Sequence, residues 1–151
     1  VEAIDVDGGG LLIVADWNRR DPSDGAMSRR ERWVMRQLLE QWDPARMDAL
    51  LLLLPVGQAT GHKGTGDFLI GADGRIARAK GAPGLVYLGA QILRCEGLVG
   101  VDRTVFSLNI LWDEMIGRGR AFGLLHQGGW CDVGRPEGIA EAEAMLEAGH
   151  V

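Results

Sequence analysis

A chain of 151 residues is long enough for one compact domain with its own core, and its 46% hydrophobic and 25% charged residues argue against disorder over most of that length. The longest apolar run, Ala49 to Val56, is far shorter than the ~18 residues that a membrane-spanning helix needs. The net charge of −5 argues against a general nucleic-acid binder, and two cysteines without a CxxC pair argue against a disulfide framework or a structural zinc site. We therefore expect a cytoplasmic protein that binds neither nucleic acid nor membrane.

The first half of the chain predicts a strand, a helix and a second strand. The apolar run Leu11 to Ala15 follows three glycines and ends at Asp16, which is typical of a buried strand. Ser28 to Trp42 predicts a helix that begins with a capping box. Apolar residues at helical spacing are expected to form its buried face: Trp33, Met35, Leu38, Leu39 and Trp42. The run Ala49 to Val56 is typical of a strand buried on both faces.

The second half predicts a hairpin, further strands and two helices. The Asp73-Gly74 pair marks the turn of a hairpin formed by Asp67 to Ile70 and Arg75 to Ala77. The remaining predicted elements are a strand over Leu85 to Leu93, a helix over Phe106 to Ile116, strands over Ala121 to His126 and Trp130 to Val133 on either side of a glycine turn, and a helix over Pro136 to Ala148. This mixture predicts an α/β fold with a partly antiparallel edge.

Two aspartates follow predicted strands. Asp16 ends the first strand, and Asp132 precedes the helix that begins at Pro136, where the helix dipole favours phosphate or a metal–phosphate complex. Ligands of open α/β sheets bind beyond the carboxyl ends of strands, and Mg²⁺ often takes one or two carboxylates there. Each residue can equally be a structural aspartate at a turn, so their pairing around one Mg²⁺ is a hypothesis.

The glycine-rich loop Gly57 to Gly66 is a further candidate, because it carries Lys63 and leads to Asp67. Glycines let backbone N–H groups approach a ligand, and the lysine adds a positive charge. The loop is not a P-loop, since it does not lead from a Gly-Lys-Ser/Thr ending into a helix. Read alone, it is also consistent with an ordinary surface loop.

Taken in order, five segments resemble the later part of the sugar-1-phosphate nucleotidyltransferases. These segments are Met47 to Leu53, Gly61 to Phe68, Val86 to Leu93, Phe106 to Asn109 and Gly129 to Glu137. The similarity is closest to the N-acetylmuramate-1-phosphate uridylyltransferases and mannose-1-phosphate guanylyltransferase-like proteins.

The resemblance implies site residues and a reaction. Asp16 and Asp132 resemble the two catalytic, Mg²⁺-binding aspartates, while the sugar-phosphate pocket is implied for Lys63, Gly66, Asp67, Tyr87 and Gly89. The implied reaction joins a sugar-1-phosphate to the α-phosphate of a nucleoside triphosphate and releases pyrophosphate, in cell-wall sugar recycling or nucleotide-sugar synthesis. Such chemistry depends on in-line positioning and on neutralisation of charge by a metal ion.

The resemblance also implies the fold and its extent. It predicts a three-layer α/β/α, Rossmann-like mixed sheet in which residues 1–151 form a single, partial domain on the sugar-phosphate and metal side. Residues Val1 to Gly10 do not contain the glycine-rich loop and Pro-Lys pair that hold the triphosphate, so we expect the chain to lack the N-terminal nucleotide-binding βα units. The alternative is a truncated, non-catalytic module that binds a sugar phosphate or self-associates. A homo-oligomer or a complementing N-terminal segment is then expected to cover the exposed sheet edge.

Overall fold

The computed structural model describes residues 2–6, 10–14, 29–94, 96, 107–133 and 136–148, and up to residue 31 the description covers the backbone. Its helices are α1 Arg29–Gln41, α2 Asn109–Gly117 and α3 Pro136–Glu147. Its strands are β1 Glu2–Val6, β2 Gly10–Val14, β3 Ala49–Pro55, β4 Ala59–Thr60, β5 Phe68–Ile70, β6 Ile76–Arg78, β7 Leu85–Arg94, β8 Ala121–Leu125 and β9 Trp130–Cys131. A 3₁₀ turn at Val56–Gln58 joins β3 to β4. Each predicted helix and strand that lies within the described residues is present.

The main sheet is mixed, and its central strand pairs are antiparallel. Its described strands run in the order β1-β2-β7-β3-β8, with the β5–β6 hairpin attached to the start of β7. β7 is antiparallel to both β2 and β3, whereas β3 and β8 are parallel. The prediction of antiparallel pairing at an edge was therefore incomplete, because the long strand β7 brings antiparallel pairing into the middle of the sheet.

Helices cover both faces of this sheet, and the side chains of β3 alternate between the two faces. Leu50, Leu52 and Leu54 pack with α1 on one face. Ala49, Leu51 and Leu53 pack with α2 on the other face. The strand is almost wholly buried, as its uninterrupted apolar run predicts. The described helices α1 and α2 thus form layers on opposite faces of a mixed sheet.

The buried face of α1 differs from the predicted one. Val34 and Leu38 are fully buried, and Met35 and Trp42 pack against them. Trp33 and Leu39 are 42% and 44% exposed, so their assignment to the core was wrong. Because a helix that lies on a sheet contacts it along one stripe of its surface, apolar residues beside that stripe reach solvent.

The two strands after α2 do not pair with each other. β8 lies beside β3 in the main sheet, whereas β9 pairs in parallel with β4 to form a separate two-stranded sheet. The glycine turn at residues 127–129 therefore carries the chain from one sheet to the other. By contrast, the predicted Asp-Gly hairpin is confirmed as β5 and β6, with Gly74 at φ 85°.

Within the described part of the chain, none of the helices combines the length and apolar character needed to cross a membrane.

Candidate functional site

Asp132 follows β9 directly and is held by the backbone of β4. Its N–H donates to the Thr60 carbonyl oxygen at 2.9 Å, which continues the parallel pairing of the two strands. The residue is half-buried and stands four positions before Pro136, where α3 begins. The structure thus puts Asp132 at the end of a strand and close to a helix N-terminus, where negative charge is favoured.

Two glycines allow the chain to close around Asp132. A β-carbon on Gly138, in the first turn of α3, would lie 2.1 Å from the Asp132 carbonyl oxygen. A β-carbon on Gly61, which has φ +77°, would lie 3.3 Å from the same oxygen. Since contacts under 3.0 Å are essentially never made by real β-carbons, Gly138 is required for this close approach.

A second carboxylate, on Glu141, faces the same place. Its Oε2 would be 2.9 Å from a β-carbon on Gly61, and the Asp132 β-carbon would be 3.7 Å from that point. Burial, followed by the negative charges of Glu141 and Asp132, raises the pKa of the neighbouring Cys131 thiol. Both carboxylates therefore lie in one small region between β4, β9 and α3.

The sugar-phosphate residues implied by the resemblance form a second group. The backbone N–H of Tyr87 donates to the Asp67 carboxylate at 3.3 Å, although the two residues are 20 positions apart. Asp67 is also tied to β7 by its own N–H, which donates to the Leu85 carbonyl oxygen at 2.8 Å. Gly66, at φ +100°, passes so close to Gly84 that a β-carbon would be 2.7 Å from its carbonyl carbon. Asp67, Tyr87 and Gly66 are thus brought together.

Tyr87 and Gly89 lie where β7 leaves regular pairing. Leu51 pairs with Gln91 and Leu53 pairs with Tyr87, so an advance of two residues along β3 corresponds to four residues along β7. Gly89 lies within this irregularity and adopts φ +85°. The Tyr87 ring is edge-on to Trp112 at 5.0 Å, and burial raises the pKa of its phenol well above the usual range. Such bulges are frequent beside binding sites because they redirect side chains and free backbone groups.

Both groups are connected to the carboxyl end of β3, because Tyr87 pairs with Leu53 and because β4, which holds Asp132, follows β3 after the 3₁₀ turn. The Val56 N–H, just after β3, donates to Gly84 on the Asp67 side, and the His126 N–H donates to Leu53. The loop from Gly61 to Gly66 joins the Asp132 group to the Asp67 group. Because five extended residues span at most about 18 Å, the two ends of this loop cannot be farther apart than that. Lys63 is exposed on this loop.

Asp16 lies outside the described residues, so its predicted pairing with Asp132 stays a prediction. The described strand before it, β2, runs parallel to β3 with β7 between them, and it ends at Val14 opposite Ala90. Its carboxyl end therefore points to the same side of the sheet as the carboxyl end of β3.

The donor chemistry at Asp132 fits a hard divalent cation that takes one or two protein carboxylates and otherwise binds water and phosphate. In the described part of the chain, no group of three or more His, Cys, Asp and Glu residues is arranged as a metal site. A cation here would therefore depend on few protein ligands.

Sequence reasoning missed Glu141, Gly138 and Thr60. The only signal for the first two is their spacing of three residues, which puts them on one face of the helix after Asp132. The contact of Thr60 with Asp132 spans 72 positions of the chain and has no local signature.

This mixed α/β sheet, with an aspartate after a strand and beside a helix N-terminus, is compatible with a nucleotidyltransferase-like fold. The chain is related to the sugar-1-phosphate nucleotidyltransferases, as the resemblance of its ordered segments predicted. It is 37% identical over 107 residues to N-acetylmuramate alpha-1-phosphate uridylyltransferase of Caulobacter vibrioides. The match covers 70% of this chain and 44% of that relative, so it spans less than half the relative's length.

A second, shorter similarity concerns a different class of protein. Over 34 residues the chain is 56% identical to 2-methyl-6-phytyl-1,4-hydroquinone methyltransferase of Synechocystis, which is 22% of this chain and 11% of that protein. A match to so small a part of an enzyme carries no argument about activity. No protein-family model matches the chain.

Proposed function

We propose that the protein acts in transferring a nucleotidyl group from a nucleoside triphosphate to a sugar-1-phosphate, with release of pyrophosphate. The observation that supports this most directly is that the Asp132 group and the Asp67–Tyr87 group are both connected to the carboxyl end of β3. A metal-binding carboxylate and a sugar-binding pocket need to lie near each other if a phosphate is to lie between them.

In the proposed reaction, a phosphate oxygen of the sugar-1-phosphate attacks the α-phosphorus of the triphosphate. The bond from that phosphorus to the bridging oxygen breaks, and pyrophosphate leaves with the electron pair. Mg²⁺, when bound, neutralises charge on the phosphate oxygens. Asp132 is proposed to hold it, together with Asp16, and Glu141 adds negative charge beside it.

The remaining residues are proposed to bind the acceptor. Lys63 is a cation on a glycine-rich loop and is suited to pairing with a phosphate. The Asp67 carboxylate is suited to accepting hydrogen bonds from sugar hydroxyls, and the Tyr87 phenol can donate to sugar oxygens. Gly66 and Gly89 are proposed to contact the acceptor through backbone groups, whose directions are set by their positive φ angles of 100° and 85°.

For the acceptor we propose N-acetylmuramate 1-phosphate or a similar hexose 1-phosphate, with uridine or guanosine as the base. The choice of N-acetylmuramate 1-phosphate and uridine follows the name of the relative. We further propose that the protein acts in cell-wall sugar recycling or nucleotide-sugar synthesis, in the cytoplasm. The triphosphate is proposed to be held partly by a further segment or by a second copy of this chain.

The test is pyrophosphate release with UTP or GTP, Mg²⁺ and N-acetylmuramate 1-phosphate or mannose 1-phosphate. Asp132→Asn is expected to lower kcat and to raise the Mg²⁺ concentration needed for half-maximal rate. Glu143→Gln changes an exposed carboxylate on the neighbouring helix α3, and as the control it should leave both values unchanged.

If the protein binds a sugar phosphate saturably but shows no turnover under any of these conditions, the second candidate function would take the place of nucleotidyl transfer. That second candidate is a non-catalytic sugar-phosphate-binding module. If the protein neither turned over nor bound any of these sugar phosphates, both candidates would be wrong.

A further inference from the structure

Gln91 is a fully buried polar residue in the middle of β7, on the face of the sheet that α2 covers. Its side chain is 0% exposed. Its Oε1 accepts a hydrogen bond from the indole Nε1–H of Trp112 at 2.8 Å. The indole nitrogen can only donate, so this contact fixes which end of the carboxamide faces Trp112.

The other end of this carboxamide is a donor that meets no acceptor. The Gln91 Nε2 atom is buried, and it has no hydrogen-bond partner among the described residues. Buried amide groups are almost always hydrogen-bonded, so a donor left over in a fixed orientation needs an explanation. A ligand oxygen is one explanation.

The surroundings of Gln91 favour the acceptor pocket as the source of that oxygen. Tyr87 stands four positions earlier on β7, and its ring meets the edge of the same Trp112 that holds Gln91. Between them is Gly89, which carries no side chain and adopts φ +85° at the bulge. Gly89 and Tyr87 are both partly exposed, so this stretch of β7 reaches the protein surface next to Gln91.

These contacts join four residues in one line. The Asp67 carboxylate holds the Tyr87 backbone, the Tyr87 ring packs on Trp112, and the Trp112 indole holds Gln91. The line begins with residues implied in sugar-phosphate binding and ends at the unused donor.

We propose that the Gln91 side-chain N–H₂ group donates to a sugar oxygen atom of the bound sugar phosphate. Trp112 is the positioning residue that fixes the orientation of this donor. The proposal rests on the proposed function, because it assigns a specificity-determining contact within the same acceptor pocket. A donor fixed in this way rejects acceptors that lack the matching oxygen, because such acceptors leave it unpaired.

The test compares two replacements of similar size, using isothermal titration with N-acetylmuramate 1-phosphate and mannose 1-phosphate. Gln91→Glu keeps an acceptor for Trp112 but replaces the N–H₂ donor by oxygen. Gln91→Met removes donor and acceptor together and keeps the volume. Both variants are expected to bind the sugar phosphate about 10-fold more weakly, which is the upper range for losing a hydrogen bond to a neutral group.

A second measurement separates this contact from a merely structural role. Binding of inorganic phosphate is expected to stay within about twofold of the wild-type value in Gln91→Met, since the proposed contact is to an oxygen of the sugar and not of the phosphate. Trp112→Phe removes the indole donor while keeping an aromatic ring, and is expected to raise KM for the sugar phosphate more than it lowers kcat.

Unchanged sugar-phosphate affinity in a folded Gln91→Met variant, beside a wild-type protein that binds, would overturn the inference and leave the proposed function standing. If the wild-type protein binds sugar phosphate but releases no pyrophosphate, nucleotidyl transfer is overturned, and weaker binding by Gln91→Met would still support the Gln91 contact. A wild-type protein that binds no sugar phosphate would overturn both.

Discussion

At the scale of single residues, Asp48 connects three parts of the chain through one buried carboxylate. Its side chain is 8% exposed, and Arg120 Nε lies 2.8 Å from its Oδ1. Arg94 at the end of β7 and Arg118 after α2 also lie within ion-pair distance of it, at 3.5 and 3.8 Å. Replacing this carboxylate therefore affects the start of β3, the end of β7 and the α2–β8 connection together.

Asp48→Asn is expected to lower the free energy of unfolding by about 1.5–3 kcal/mol, because a hydrogen-bonded charge is lost while the arginines keep some access to water. Urea unfolding followed by circular dichroism measures this. Asp73→Asn is the matched control, since its partner Arg75 is a surface residue and both side chains are about half exposed. Equal stability loss in the two variants would contradict the buried role of Asp48.

Gly61 is expected to be needed for its backbone conformation. Gly61→Ala puts a β-carbon at φ +77° and 2.9 Å from the Glu141 carboxylate, and left-handed backbone costs a non-glycine residue about 1–2 kcal/mol. The same substitution at Gly57, where a β-carbon meets nothing within 4 Å, is expected to change stability by less than about 0.5 kcal/mol. Thermal unfolding of both variants checks this, and equal effects would mean that the loop rearranges freely.

The residue-scale predictions from sequence succeeded where local chemistry was sufficient. Asp132 stands after a strand and before a helix, as its flanking sequence indicates. The pairing of Asp67 with Tyr87 was implied only by the family resemblance, because residues 20 positions apart have no local pattern that joins them.

At the scale of elements, the position of α1 on the sheet decides which of its apolar residues are buried. Helical periodicity identified the helix but could not choose among adjacent apolar positions, because several apolar stripes fit the same sequence. Contact with β3 and β7 selects the stripe through Val34 and Leu38.

Leu38→Ala is therefore expected to cost about 2–5 kcal/mol, the range for removing a fully buried leucine side chain. Leu39→Ala, one position further and 44% exposed, is expected to cost less than about 1 kcal/mol. Chemical denaturation of the pair measures the difference. If Leu39→Ala were the more damaging change, α1 would pack on a different face.

At the scale of the whole molecule, the main sheet with α2 and the helix α3 differ in how many of their residues are buried. β3 and β7 are covered on both faces, and α2 buries Leu111, Trp112 and Met115. Of the described residues of α3, only Gly138 is buried. The candidate site thus joins a well-packed sheet to a helix with a small buried surface.

Amide hydrogen exchange is expected to be slowest in β3 and β7 and much faster in α3, because local opening costs least where few apolar contacts are lost. Mass spectrometry of peptic fragments measures both regions in one experiment, with α2 as the internal reference for a packed helix. Protection of α3 equal to that of β3 would show that α3 has further contacts that stabilise it.

The sequence by itself determined the elements whose cause is local: the buried strand β3 from its apolar run, the β5–β6 hairpin from its Asp-Gly turn, and α3 from its Pro136 start. Only the tertiary structure decided which strands pair, which apolar residues of α1 are buried, and how Asp48 meets Arg120 across 72 positions. It also decided that β9 pairs with β4 and that Gln91 meets Trp112. The physical reason is that periodicity and turn chemistry act over a few residues, whereas these contacts join segments that come together only when the whole sheet has formed.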